Sequence, residues 1–121
     1  MSLFATDTTC FPHRLLCDYL ENPLGIDNPN PRLSWQLNDS RQGAKQTAYQ
    51  IWVGTDSLEV VNEKGNQWNT GKQLSDEIRI SYAGKALQPF TKYYWKIKVW
   101  DKDGVSFHSA VHTFETGMMQ M

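Results

Sequence analysis

From Leu87 to Asp101 the chain reads Leu-Gln-Pro-Phe-Thr-Lys-Tyr-Tyr-Trp-Lys-Ile-Lys-Val-Trp-Asp, a turn segment that runs straight into a long alternation of apolar and polar residues. Tyr93, Trp95, Ile97 and Val99 share one parity, while Tyr94, Lys96, Lys98 and Trp100 share the other. A period of two belongs to a strand with one buried side, and no helix segregates these residues. The stretch predicts a long strand whose apolar face must be covered by a second sheet.

The rest of the chain supplies that sheet. Arg14 to Leu20 alternates, with Leu15, Cys17 and Tyr19 on one side. Residues 22–31 then gather Pro23, Pro29, Pro31, Gly25 and three asparagines, a composition that forbids both helix and ladder and predicts a stiff connection. Arg32 to Leu37 resumes the alternation, Asp39 to Gly43 turns the chain, and Thr47 to Gly54 puts Tyr49, Ile51 and Val53 opposite Ala48, Gln50 and Trp52. In Asp56–Gly65 an Asp or Ser cap, a Leu58/Val61 pair and a terminal glycine predict a single helical turn or short helix. A short strand near Trp68, a strand within Ser75–Tyr82, the turn Asp101-Lys102-Asp103-Gly104 and a last strand from Phe107 to Glu115 follow. Trp35, Trp68 and Trp95 read as core.

The predicted fold is therefore an all-β, immunoglobulin-like antiparallel β-sandwich of about seven strands. It is expected to occupy residues 12–117. Residues 1–11 read as a flexible leader beginning with an expression scar, Met1-Ser2-Leu3, and residues 118–121 as a tail toward a next domain. A chain of 121 residues suffices for one such domain without a covalent staple. Cys10 and Cys17 could pair, but Cys17 reads as a buried free thiol. A formal charge of −1 with interspersed signs offers no stripe for nucleic acid and no polybasic segment for a membrane. No apolar run approaches the ~20 residues of a membrane span.

Leu87-x-Pro89-x-Thr91-x-Tyr93 resembles the corner that opens strand F of fibronectin type III domains, where a tyrosine hydroxyl bonds to nearby backbone. More specifically, Glu21-Asn22-Pro23-Leu24-Gly25-Ile26-Asp27, Pro31-Arg32-Leu33-Ser34-Trp35, Thr47-Ala48-Tyr49-Gln50-Ile51, Trp68-Asn69-Thr70-Gly71-Lys72 and Tyr93 to Asp101 occur in the order seen in one family. Over residues 13–117 the chain resembles the N-terminal fibronectin type III-like domain of bacterial α-L-rhamnosidases, glycoside hydrolase family 78. Ser106-Phe107-His108-Ser109 stands where such domains usually carry a serine-tryptophan-serine segment. The resemblance implies a parent enzyme that hydrolyses terminal α-L-rhamnosyl groups by inversion in a separate helical barrel. It also implies an accessory role for this domain, no cofactor, and a periplasmic or extracellular setting.

The residues themselves suggest no catalysis. Inverting glycosidases need two carboxyl groups across a cleft, whereas Asp76 and Glu77 point to opposite sides of a strand, Asp101 and Asp103 share a turn, and Asp56 and Glu59 fit a solvated helix. His13, His108 and His112 lack a metal pattern, although His108 and His112 share strand parity. Asp101 to Gly104 opens like a calcium loop without its downstream ligands. Ser34, Ser57 and Ser109 have no nucleophile context. The candidate surface is the outward parity of two strands, where Trp52, Tyr94 and Trp100 would stand beside Lys96 and Lys98. Large apolar groups there predict packing against other domains of the same polypeptide. The alternatives are sugar stacking, as in a carbohydrate-binding module, partial cover by neighbouring side chains and loops, or a free-standing protein-binding domain.

Overall fold

The computed structural model describes residues 11–38 and 46–119. Cys10 and the turn expected at Asp39–Gly43 lie outside them. One sheet has the order β1 (Phe11–Cys17), β2 (Arg32–Asn38), β5 (Arg79–Ser81). The other runs β4 (Trp68–Asn69), β3 (Ala48–Gly54), β6 (Lys92–Trp100), and β6 then pairs with both β7 (Ser106–His108) and β8 (His112–Glu115). Every strand pair is antiparallel. With β7 and β8 taken as one interrupted strand, the architecture is the expected seven-stranded, immunoglobulin-like sandwich.

The inner parity of each strand builds the core. Leu15, Cys17, Leu33 and Trp35 meet Ile51, Val53, Tyr93, Trp95, Ile97, Val99 and Phe114, all buried. Tyr93 stacks on Phe114 with centroids 5.3 Å apart, and the Gln88 amide donates to the Tyr93 hydroxyl at 2.7 Å. The tyrosine corner is thus present at the predicted residue. Trp68 is only half-buried and packs against the core edge-on to Tyr82.

Several expectations shift. β1 ends at Cys17 rather than Leu20, and Tyr19 is 53% exposed, because Asp18 and Tyr19 both adopt positive φ and reverse the chain. The strand expected within Ser75–Tyr82 shrinks to Arg79–Ser81. The last strand breaks at residues 109–111. Lys98 pairs with His108 and Trp95 with His112, so the β7–β8 side advances four residues while β6 advances three. The extra residue is a bulge that inverts parity, and the Ser109 hydroxyl accepts the Ile97 amide within it. His108 and His112 therefore do not share a face.

The short helix α1 (Ser57–Val61) is capped by Asp56, whose carboxylate accepts the amides of Leu58 and Glu59. Leu58 and Val61 are exposed, and Val60 is the residue it buries. The chain also remains in the fold beyond residue 117: Met119 is buried, and its amide donates to Asp27 at 2.9 Å.

Cys17 is a free, buried thiol. Burial, followed by the charge of Asp18, pushes it from its usual 9.0 up to about 12. Burial likewise raises Tyr82 from 10.0 to about 12. Both groups hold their protons more tightly when folded, so their contribution to stability is complete below about pH 9 and is lost as pH rises through about 12. In a Cys10→Ser background, a thiol reagent at about pH 8 should label Cys17 only as fast as the chain opens. Rapid labelling of folded protein would contradict this burial.

Candidate functional site

The antiparallel register of β3 and β6 sets Ala48 opposite Trp100, Trp52 opposite Lys96 and Gly54 opposite Tyr94. Trp52, Tyr94 and Trp100 consequently do share the outer face of one sheet. Trp52 is nevertheless only 2% exposed, which corrects the expectation that it meets solvent. Lys96 lies over the Trp52 ring, with Nζ 5.5 Å from its centroid, and donates to the Val61 carbonyl at 3.2 Å. The end of α1 therefore closes over this part of the sheet.

Glu63 completes the cover. It takes φ of +63° just after the helix, and its carboxylate lies 3.6 Å from Lys96 Nζ, 3.9 Å from Lys98 Nζ and 3.3 Å from His108 Nδ1. A nearly buried ammonium is tolerated because carboxylate, carbonyl and aromatic ring all face it. The half-buried aromatics are overlaid as well. Lys92 Nζ lies 5.5 Å from the Tyr94 ring centroid, and Lys72 and Lys98 lie 4.5 and 5.3 Å from that of Trp100. The face is a lysine-on-aromatic layer rather than a bare platform. Sequence parity located its aromatics, but Glu63 had no signal because its role depends on the turn after α1.

Many carboxylates of the described residues serve the fold. Asp56 caps α1, Asp101 accepts the Asp103 and Val105 amides, and Asp18 accepts that of Arg32. Asp76 and Glu77 border an open hollow of about 480 Å³ with Arg32 and Arg79. Among the described residues, no three histidine, cysteine or acidic groups gather as metal ligands.

A group of exposed apolar residues lies elsewhere, at the end of the sandwich where the described chain finishes. Leu24, Phe90 and Met118 are 75%, 76% and 62% exposed. Their backbones are adjacent: the Phe90 amide donates to the Gly117 carbonyl at 2.9 Å, and a Cβ on Gly117 would stand 3.1 Å from the Gly25 carbonyl oxygen. Beside them lies a hollow of about 500 Å³ lined by Pro29, Leu87, Pro89 and Met119 among others. Three protruding apolar groups next to an apolar recess have the composition of a packing surface.

Comparison with known proteins matches residues 12–120 to a family described as "Rha78A-like, N-terminal immunoglobulin domain". An α-L-rhamnosidase of Streptomyces avermitilis is 39% identical over 104 residues, covering 84% of this chain and 10% of the relative. The solved α-L-rhamnosidase from Dictyoglumus thermophilum superposes with a TM-score of 0.88 at 40% identity, over 94% of this chain and 13% of that one. The solved Streptomyces avermitilis α-L-rhamnosidase complexed with L-rhamnose superposes with a TM-score of 0.85 at 35% identity, over 92% and 11%. The chain thus spans about a tenth of the length of the relatives it matches.

Proposed function

The chain belongs to the family of Rha78A-like N-terminal immunoglobulin domains, and from that premise we propose that it is a non-catalytic accessory domain of an α-L-rhamnosidase. On this reading the parent hydrolyses terminal α-L-rhamnosyl groups of plant-type glycans, and this domain packs against the rest of the polypeptide. The observation that carries it is the match of nearly the whole chain to so small a share of each relative. The surface in contact is the Leu24, Phe90 and Met118 end rather than the expected Trp52, Tyr94 and Trp100 face. Lysines and Glu63 already cover that face, and the same cover argues against sugar stacking there. The proposal extends to a periplasmic or extracellular setting, where burial would shield the Cys17 thiol.

The 121-residue chain should release no p-nitrophenol from p-nitrophenyl α-L-rhamnoside, whereas the polypeptide that continues it should. Turnover by the chain alone, abolished by substitution of one of its own carboxylates, would refute an accessory role.

A further inference from the structure

The outer face of the three-stranded sheet carries a second, chemically different surface. Two irregularities shape it. β1 slips register between His13 and Leu16, with Arg14 at φ +52°. Just beyond, Cys17 and Leu20 exchange both backbone hydrogen bonds, at 2.8 and 3.0 Å, around Asp18 (φ +49°) and Tyr19 (φ +67°). A turn with positive φ at both central positions normally takes asparagine and glycine. Arginine, aspartate and tyrosine in left-handed conformations are strained, and such strain clusters at binding sites.

These irregularities gather cations around one phenol. The Tyr19 hydroxyl accepts Arg32 Nη1 at 2.9 Å, and hydrogen bonds from Arg32 and then Arg79 hold its pKa below the usual value. Arg14, Tyr19 and Arg79 line one hollow of about 210 Å³ with Ser34 and Gln36. That hollow shares Ile78 and Arg79 with the Arg32 hollow of about 480 Å³, and Arg14, Leu16 and Tyr19 with another of about 330 Å³. Among the described residues, none of the three guanidiniums has a carboxylate within ion-pairing distance.

We propose that this trough binds an acidic saccharide, with a sugar carboxylate held by Arg14, Arg32 and Arg79. Guanidinium forks match planar carboxylates. Ser34, Gln36 and Ser81 offer partners for sugar hydroxyls, while Leu16, Ile78 and the Tyr19 ring offer apolar contact. Asp76, Glu77 and Glu21 border the trough, which disfavours densely charged polyphosphates and selects a ligand with spaced carboxylates.

The test is calorimetry with amide chemical-shift mapping of the 121-residue chain against trigalacturonate. Maltotriose, inorganic sulfate and hexaglutamate serve as comparators. Saturable millimolar binding of trigalacturonate is expected, with shifts centred on Tyr19 and Arg79. Arg79→Ala and Arg14→Ala should each weaken it about tenfold, while Lys98→Ala on the opposite sheet leaves it unchanged. No saturation below about 20 mM, equal binding of any comparator, or full binding by folded Arg14→Ala and Arg79→Ala chains would overturn the proposal.

Discussion

Replacing Gly65 with alanine should destabilise the domain by roughly 3 kcal/mol and lower its melting temperature by about 10 °C. Gly65 follows α1, where a glycine ordinarily suggests a left-handed helix end. The positive φ belongs instead to Glu63. Gly65 is required by proximity: an added Cβ would stand 2.4 Å from the Trp68 carbonyl oxygen and 2.8 and 2.9 Å from the Val53 oxygen and nitrogen. All three are backbone atoms of paired strands β3 and β4. Relief must therefore separate the strands or lift the segment that follows α1, which carries Glu63 over Lys96. Gly104 is the control. It has φ of +80°, and a Cβ added there would meet nothing within 4 Å, so Gly104→Ala should cost only the roughly 1–2 kcal/mol of the left-handed conformation. Equal thermal shifts for the two variants would contradict a close-approach role for Gly65.

Trp35→Ala should cost about 4 kcal/mol. Trp35 is 1% exposed on β2 and lies against Tyr49 of β3, ring centroids 5.7 Å apart, so it joins the two sheets. Its indole N–H donates to Gln46 Oε1 at 3.0 Å, and Gln46 Nε2 in turn donates to the carbonyls of Ser75 and Glu77 at 2.9 and 2.8 Å. The substitution both opens a cavity and strands a buried amide oxygen. Trp35→Phe should recover part of the volume but not the hydrogen bond, costing about 2 kcal/mol. In a Gln46→Leu background the hydrogen-bond share of that loss should disappear, and thermal unfolding of the four chains in the cycle reads it directly. Strict additivity would mean that the Trp35–Gln46 bond contributes nothing.

Strand parity made the sandwich legible, together with its inward Trp35 and Trp95, the Tyr93 corner and the buried thiol of Cys17. Each depends on local alternation, or on residues a few positions apart. Parity names a face without naming what covers it. Trp52 lies on the outer parity and is still buried, because α1 and Lys96 reach it from other parts of the chain. The bulge at Ser109 inverted the parity that would have placed His108 beside His112, and positive φ at Asp18 and Tyr19 took Tyr19 off the strand. Leu58 and Val61 have helical spacing, but only Val60 faces the sheet. The apolar end is missed for a related reason: Leu24, Phe90 and Met118 are distant in sequence and are brought together by long-range hydrogen bonds, among them the Ile26–Gly117 and Phe90–Gly117 backbone bonds and the Met119–Asp27 bond.

In the function proposed above, this end packs against the rest of an α-L-rhamnosidase polypeptide. Thermal unfolding of the Leu24→Asp/Phe90→Asp variant, made both in the 121-residue chain and in the polypeptide that continues it, tests that packing. Both positions are exposed, and aspartate tolerates the left-handed backbone of Phe90. The melting temperature should shift within about 2 °C for the chain alone, and the first transition of the longer polypeptide should fall by at least about 5 °C. Equal shifts in the two contexts, or none in the longer one, would rule out packing through this end.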